Sequence, residues 1–258
     1  MSLRRVVVTG AGSGIGAALA RRFAADGARV IVNDLDPAAA EAVAAEIGGV
    51  AVPGDAGSED DVRRLVDTAW AELGGVDLFC ANAGILTAGS AEAPDDAWQK
   101  AWQINVMSHV YVARAVLPRW LENGGGRLLF TVSAAGLLTL LGSAPYSVTK
   151  HAALGFAEWL RATYAHRGIT VQALCPQGVR TDMLGSGSDS ASRAQLAATA
   201  MDPAEVAAVV AKALEGDSFL VLPHPEVAEY YQRRATDTDR WLGGMNKIQR
   251  SFDTAATA

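Results

Sequence analysis

The sequence contains little cysteine and no long apolar run. Only Cys80 and Cys175 are cysteine among 258 residues, and no pairing pattern connects them. Both stand at the ends of apolar runs, as buried thiols of a reducing compartment do. No segment approaches the roughly 18 unbroken apolar residues of a membrane span. The apolar run near the start ends at Thr9, which is too short for a secretory signal. These absences favour an unexported, cytoplasmic protein without membrane contact.

Positive charge and clustered histidine are also scarce. The formal net charge is −6, which argues against nucleic acid as a partner. The four histidines lack the spacing of metal ligands, so no metal site is predicted. Half of the residues are apolar, and a chain of this length can bury a core without disulfides or metal.

Short β-rich runs alternate with Ala-rich helical patterns. Strands are predicted at 4–10, 29–34, 50–52, 76–84, 127–133, 169–176 and 219–223. The helices between them include a long one over 95–121, bent at Pro118, and another over 145–166. Apolar strands that alternate with helices indicate a parallel sheet covered on both faces. The sequence therefore predicts an α/β fold with a single-domain, doubly wound parallel sheet of the Rossmann type and helices on both faces.

Two segments depart from this alternation. The stretch LGSGSDSAS, from Leu184 to Ser192, is too polar and too rich in Gly and Ser to pack, and we expect a mobile substrate loop over about 182–200. After a main domain over 1–223, the tail over 224–258 has the pattern of one or two amphipathic helices. Packing on the body, packing on another subunit and covering a site are all open to it.

A glycine-rich turn, TGAGSGIG from Thr9 to Gly16, joins the first strand to the first helix. Such a turn directs backbone N–H groups and the positive end of the helix at one point, where a pyrophosphate fits without a basic side chain. Gly10, Gly14 and Gly16 let backbone and ligand approach each other where a Cβ would clash. In this strand–turn–helix context the turn predicts dinucleotide binding, with a methyl donor as the alternative ligand.

Asp34 ends the second strand, at the distance from the glycine turn where an acidic residue meets the adenine ribose. A carboxylate there accepts from the 2′-hydroxyl and repels a 2′-phosphate. No Arg or Lys stands beside Asp34, and Ser13 precedes Gly14, so the sequence favours NAD(H) over NADP(H). The alternative role for Asp34, capping the helix that starts at Pro37, suits Asp36 better.

Three polar groups interrupt the apolar stretch TVSAAGLLTLLGSAPYSVTK. Tyr146 and Lys150 are four residues apart, so they share one face of a helix. A neighbouring ammonium stabilises a phenolate and lowers its pKa, which makes the pair a tunable acid/base. Ser133, at the carboxyl end of the fifth strand, can hold a carbonyl or alcohol oxygen near the phenol.

With these motifs the sequence resembles the short-chain dehydrogenase/reductase family, in its NAD-preferring type with Tyr-x-x-x-Lys. The resemblance runs from Arg4 to about Pro223 and rests on TGAGSGIG, Asn82-Ala83-Gly84, Asn105, Ser133, Tyr146-x-x-x-Lys150 and Pro176-Gln177-Gly178-Val179-Arg180-Thr181. Where the family usually has glycine after the proline, this chain has Gln177, which leaves the local substrate contacts open.

The resemblance implies a role for each matching residue. Tyr146 would be the acid/base, Ser133 would polarise the substrate oxygen, and Lys150 would lower the tyrosine pKa and hold the nicotinamide ribose. Asn105 would anchor a water that links Lys150 to solvent. The implied cofactor residues are Gly10, Ser13, Gly14, Ile15, Gly16, Asp34, Leu35, Asp55, Ala56, Asn82, Ala83, Gly84, Tyr146, Lys150, Val179 and Thr181. The predicted substrate residues are Ser133, Tyr146, Gln177 and Met183.

The sequence thus predicts an oxidoreductase that transfers hydride reversibly between NAD(H) and a secondary alcohol or ketone. Leu137, Leu138 and Leu140 favour a hydrophobic substrate, although they could equally pack on a neighbouring subunit. A non-catalytic NAD-sensing module and a methyltransferase are the alternative functions. By resemblance we also expect a homo-oligomer, a tetramer or else a dimer.

Overall fold

The computed structural model describes residues 3–185 and 196–256. Within these ranges one sheet has the strand order β3-β2-β1-β4-β5-β6-β7, and every neighbouring pair is parallel. The strands are β1 Arg5–Thr9, β2 Arg29–Asn33, β3 Val50–Ala51, β4 Leu78–Ala81, β5 Gly126–Thr131, β6 Ile169–Leu174 and β7 Leu220–Val221. The predicted strands and the doubly wound parallel sheet are confirmed, with each strand shorter than predicted.

Helices cover both faces of this sheet. They are α1 Gly14–Ala25, α2 Pro37–Ile47, α3 Glu59–Leu73, α4 Asp95–Trp102, α5 Ser108–Glu122, α6 Ala134–Leu137, α7 Ala144–Tyr164, α8 Asp182–Gly185, α9 Pro203–Ala213, α10 Glu226–Thr236 and α11 Thr238–Ala256. The strands are buried on both sides because alternate residues enter two different cores. Val7 and Phe79 pack in one core, whose helical residues come mainly from α3, α5 and α7, together with Leu137 of α6 and Val227 of α10. Val6 and Cys80 pack in the other, with α1, α2 and α9.

Local sequence signals set the helix boundaries. Asp36 caps α2 by accepting from the backbone N–H of Ala38 and Ala39, as predicted, and Ser58 caps α3 by accepting from Asp61 N. Asp202 and Glu205 form a capping box at the start of α9. These caps place the strand-to-helix turns at one edge of the sheet.

The long helix predicted over 95–121 is interrupted, but not at Pro118. The interruption is a π-helical segment, Gln103–Met107, between α4 and α5, whereas Pro118 lies inside α5 and the helix continues to Glu122. Single π turns inside α-helices are common at functional sites. This one carries the fully buried Asn105.

The loop and the tail match their predictions only in part. Asp182–Gly185 is a short helix, and residues 186–195 of the predicted substrate loop lie outside the described residues, so its mobility stays a prediction. The tail forms two helices, α10 and α11, in line with its amphipathic pattern. Val227 of α10 is fully buried in the core that α3, α5 and α7 share, so the start of the tail packs on the body.

Candidate active site

A cleft of about 600 Å³ opens at the carboxyl ends of the strands, where open parallel sheets bind ligands. Eighteen of the predicted site residues line it: Gly10, Ser13, Gly14, Ile15, Asp34, Leu35, Asp55, Ala56, Asn82, Ala83, Gly84, Ser133, Tyr146, Lys150, Gln177, Val179, Thr181 and Met183. Two predicted site residues, Gly16 and Asn105, are absent from its lining.

The glycine turn forms one wall of the cleft. Gly14 has a φ of 52°, and a Cβ there would lie 2.9 Å from Thr181 Cγ2, so only glycine keeps this gap open. Helix α1 begins at Gly14, with no acidic side chain in its first turn and no side-chain hydrogen bond from its N-cap, Ser13. Its positive end is therefore left to a ligand, and this wall fits the pyrophosphate of a dinucleotide.

Gly16 has a packing role in the glycine turn. A Cβ at this position would lie 2.0 Å from Gly10 O and 2.6 Å from Asn82 Nδ2. Gly16 is therefore required where α1 packs tightly on its own turn, and its predicted contact with the cofactor stays a prediction.

Asp34 is fixed by the backbone on both of its oxygens. Oδ2 accepts from Gly12 N at 2.8 Å, and Oδ1 accepts from Asp36 N at 3.0 Å. A carboxylate has about four lone-pair sites, so each oxygen can accept one further hydrogen bond. The carboxylate is thus held against the glycine turn while it still faces the cleft.

Asn82 joins the ends of three strands. Its Nδ2 donates to Thr9 O at 3.0 Å and Gly10 O at 3.2 Å, and its Oδ1 accepts from Thr131 Oγ1 at 2.9 Å. Thr9 Oγ1 in turn accepts from the backbone N–H of Asn82 and Ala83. All polar atoms of the Asn82 amide therefore have protein partners, and Asn82 contributes to the cleft chiefly by fixing its floor.

Ser133 and Tyr146 lie together in the lining of the cleft. The Ser133 hydroxyl accepts from Ala135 N at 3.1 Å and hydrogen-bonds the Tyr146 phenol. Ser133 has a φ of 155°, and among the described residues no other non-glycine residue has a positive φ; such strain is typical of functional sites. Tyr146 keeps part of its surface in the cleft, yet it is enclosed closely enough that desolvation raises the pKa of its phenol, and the Ser133 hydrogen bond offsets only part of this rise.

Lys150 lies behind the phenol. Its Nζ donates to Thr131 O at 2.9 Å and lies 5.6 Å from the centroid of the Tyr146 ring. Burial lowers the pKa of Lys150 to about 8. The two residues therefore share a helix face, as their spacing predicted. The predicted lowering of the tyrosine pKa by Lys150 is not observed, because burial dominates the phenol.

Asn105 lies beside Lys150 but is already bonded. A Cβ added to Gly84 would lie 3.3 Å from both Asn105 Oδ1 and Lys150 Nζ, so the two side chains converge there. Asn105 Oδ1 accepts from Ile85 N at 2.9 Å, and Nδ2 donates to Ile85 O and Thr149 Oγ1. Its side chain fastens the strand β4 exit to α7, and the predicted water-anchoring role stays a prediction.

Several apolar side chains also line the cleft. Leu138, Leu140 and Leu184 line it together with the predicted Gln177 and Met183. Gln177 N donates to His224 Nδ1 at 3.1 Å, which ties the loop after β6 to the start of the tail.

Sequence reasoning missed several residues of the site. Thr131 holds Lys150 and Asn82, but a threonine at the end of a strand gives no distinct signal. His109 is fully buried, its ring centroid lies 4.5 Å from that of Phe130, and burial and the Lys150 charge lower its pKa to about 3. Lys100 of α4 also lines the cleft. The sequence did offer one signal for His109: it follows Asn105 by four residues in the predicted long helix, so the two side chains were expected on the same helix face.

Within the residues that the structure describes, no group of three or more His, Cys, Asp or Glu side chains could hold a metal ion. No helix in this part of the chain combines the length and hydropathy of a bilayer span.

Comparisons with known proteins agree on one family. Its sequence model, described as short chain dehydrogenase, matches residues 4–192. A 1-deoxy-11-beta-hydroxypentalenate dehydrogenase from Streptomyces exfoliatus is 38% identical over an alignment of 242 residues, and the match covers 88% of this chain and 85% of the relative.

Solved structures share the fold over most of their length. A short chain dehydrogenase/reductase from Burkholderia phymatum in complex with NAD has a TM-score of 0.85 at 25% identity, over 93% of this chain and 96% of that one. A 7α-hydroxysteroid dehydrogenase complexed with NADH and 7-oxo glycochenodeoxycholic acid has a TM-score of 0.77 at 27% identity, over 85% of this chain and 94% of that one. The glycine turn, the Ser133–Tyr146–Lys150 wall and a family match over most of the sequence lead to one conclusion: the chain belongs to the short-chain dehydrogenase family.

Proposed function

We propose that this protein catalyses reversible hydride transfer between NAD(H) and a hydrophobic secondary alcohol or ketone, with Tyr146 as the acid/base. One observation carries the proposal. The Ser133 hydroxyl, the Tyr146 phenol and Lys150 lie together in the lining of a cleft that is also lined by a glycine turn suited to a pyrophosphate. A binding module would need the turn but not the three polar groups.

Different residues of the cleft would bind different parts of the cofactor. The first turn of α1 would hold the pyrophosphate, Asp34 the adenine ribose and Lys150 the nicotinamide ribose. When bound, the nicotinamide would supply the hydride chemistry. The solved relative from Burkholderia phymatum binds NAD, and the hydroxysteroid dehydrogenase binds NADH, which supports NAD(H) for this chain together with Asp34.

The protein's own part is to move one proton at the substrate oxygen. In reduction, Tyr146 Oη donates its proton to the oxygen of the ketone, while Ser133 Oγ donates a hydrogen bond to the same oxygen. A phenol pKa raised by burial keeps Tyr146 protonated at neutral pH, which is the form that donates. In oxidation the same phenol must first lose its proton, and the Lys150 ammonium is the group placed to stabilise the phenolate.

The substrate proposal rests on the apolar end of the cleft. Leu138, Leu140 and Met183 surround the space beyond Tyr146. Hydroxypentalenate and hydroxysteroid dehydrogenases are among the relatives. Both support an apolar secondary alcohol for this chain.

A screen for NAD⁺ reduction over secondary alcohols of graded size and polarity tests the proposal. We expect turnover that increases with the apolar bulk of the alcohol. Tight NADH binding without turnover of any alcohol would point to the sensing module instead, and failure to bind NADH would favour a methyl-donor ligand.

We further propose a homo-oligomer, a tetramer or else a dimer, in the cytoplasm. Trp102, Val148 and Trp159 are large apolar side chains exposed on α4 and α7, and such residues support a partner surface. Sedimentation of the purified protein tests the oligomer.

A further inference from the structure

A second cavity, of about 1120 Å³, lies beside the catalytic cleft, between the Leu138–Leu141 segment and the two tail helices. We call it the tail chamber. Its apolar lining comprises Leu138, Leu140, Leu141, Leu196, Tyr230, Trp241, Met245, Ile248 and Phe252. Five charged residues also line it: Glu226, Glu229, Arg233, Asp237 and Arg240.

The tail chamber adjoins the catalytic cleft. Five residues line both spaces: Leu138, Thr139, Leu140, Gln177 and Leu196. Gln177 thus stands at the junction of the two, where the family usually has a glycine. A ligand held at Tyr146 and larger than the end of the cleft would extend past Gln177 into the chamber.

One face of α11 forms the far wall. Trp241, Met245, Ile248 and Phe252 recur at helical spacing and line the chamber, as does Gly244. The rings of Trp241 and Tyr230 have centroids 6.1 Å apart, which joins this wall to α10. No heavy atom beyond the helix lies within 4 Å of a Cβ built on Gly244, so that part of the wall is open space.

The tail is fixed to the same loops that form the catalytic cleft. Arg234 Nη1 of α10 donates to Leu137 O at 2.6 Å, directly before the shared leucines. His224 Nδ1 accepts from Gln177 N at 3.1 Å, and Val227 is fully buried in the core. The chamber wall and the catalytic loops therefore hold a defined position relative to one another.

We infer that the tail chamber holds the body of a bulky, fused-ring or comparably large apolar ketone or alcohol whose reacting oxygen lies at Ser133 and Tyr146. The inference rests on the proposed function. The cleft of about 600 Å³ would have to hold the dinucleotide as well as the substrate, and Leu138, Leu140 and Met183 belong to the part of its lining that has no proposed cofactor role. The adjoining chamber has the volume of a ligand site, and the Leu138–Leu141 segment and the apolar face of α11 give it an apolar side, while charged residues of the tail line the rest.

Two neighbouring glycines of α11 provide a matched test. Gly244 lines the chamber and Gly243 does not, and a Cβ at either position meets open space. Gly244→Phe and Gly243→Phe change helix propensity equally, but only the first places a ring in the chamber. Both variants and the wild type are titrated calorimetrically with androstane-3,17-dione and with cyclohexanone, in the presence and absence of NADH. Their oligomeric state is measured by sedimentation.

We expect Gly244→Phe to weaken androstanedione binding at least about tenfold, because overpacking by one ring is costly. Cyclohexanone and NADH binding should not change, and Gly243→Phe should behave as wild type. Equal effects of the two variants, unaltered steroid binding in Gly244→Phe, or a wild type that does not bind the steroid would each overturn the inference. So would a change of oligomeric state in Gly244→Phe with steroid binding intact, since the chamber would then hold a second copy of the chain.

The two proposals fail in different ways. Steroid binding that depends on Gly244, without turnover of any alcohol, supports the chamber and refutes the proposed catalysis. Turnover of bulky alcohols that is indifferent to Gly244→Phe supports the catalysis and refutes the chamber.

Discussion

Asp34→Asn isolates the charge that we assign to cofactor choice. The amide keeps an oxygen for the Gly12 N–H group, which Asp34 now binds at 2.8 Å, but loses the carboxylate's negative charge. The acceptor for Asp36 N is lost with it, at a cost of about 1 kcal/mol of stability. The fold should therefore survive while the electrostatics of the adenine-ribose site change.

The expected change in cofactor preference follows from the distance between the Asp34 carboxylate and the 2′-phosphate of a bound NADP(H). A carboxylate and a phosphate about 4 Å apart repel each other by about 1 kcal/mol in water and about 4 kcal/mol near a protein surface. Asp34 is half-buried, so we expect about 1–3 kcal/mol of relief for NADP(H), a tenfold to hundredfold gain. NAD(H) should lose about tenfold, because a charged acceptor for the ribose hydroxyl is gone.

The assay compares kcat/KM for NAD⁺ and NADP⁺ with one alcohol from the screen, and also NADH and NADPH binding by fluorescence without any alcohol. Asp36→Asn is the matched control. Asp36 caps α2 two residues away and is not part of the cleft lining, and asparagine caps as well as aspartate. An unchanged cofactor ratio in Asp34→Asn, or the same change in Asp36→Asn, would refute the assignment.

Two further predictions concern stability. Burial alone would raise the pKa of Asp77, but hydrogen bonds from Arg5 and from the Arg4 and Arg5 backbone N–H groups outweigh it and hold that pKa below its usual value. Asp77→Ala should therefore lower the free energy of unfolding by about 2–3 kcal/mol at pH 7. Urea unfolding should show a smaller difference between variant and wild type as the pH falls below about 4. A loss of stability that is equal at pH 7 and below pH 4 would contradict the prediction. For Lys150, a pKa of about 8 in the fold means that burying the ammonium destabilises the protein below pH 8, a penalty that vanishes as the pH rises towards the ordinary lysine value. Lys150→Met should raise the free energy of unfolding by about 2 kcal/mol at pH 7 and not at pH 10, after allowance for the hydrogen bond lost at Thr131 O; destabilisation at pH 7 would contradict the reasoning.

Most of the fold could be predicted because its signals are local. Apolar strands, caps such as Asp36 and Ser58, and glycines after helices each determine a boundary within a few residues. The π-helical segment at Gln103–Met107 could not be predicted, since its cause is tertiary: Asn105 bonds Ile85 and Thr149, which are 20 and 44 residues away.

The sequence motifs predicted which residues form the site, but not the contacts that determine the pKa values of its groups. The spacing of Tyr146 and Lys150 sufficed to place them on one face, whereas the pKa of the phenol depends on enclosure that no spacing encodes. The sequence motif predicts the same role for every glycine of the turn. Only the structure shows that a Cβ on Gly16 would lie 2.0 Å from Gly10 O, inside the turn, whereas a Cβ on Gly14 would approach Thr181. The tail chamber was beyond sequence reasoning, because it arises where α11 lies beside Leu138–Leu141, a hundred residues earlier in the chain.

The most direct measurement of the central claim is the turnover of Tyr146→Phe beside Tyr164→Phe, the same substitution on the same helix but outside the cleft. If the Tyr146 phenol moves the proton, Tyr146→Phe loses about 10² to 10⁴ in kcat and still binds NADH like wild type, while Tyr164→Phe keeps its full activity. A Tyr146→Phe enzyme that retains most of its kcat would contradict the account.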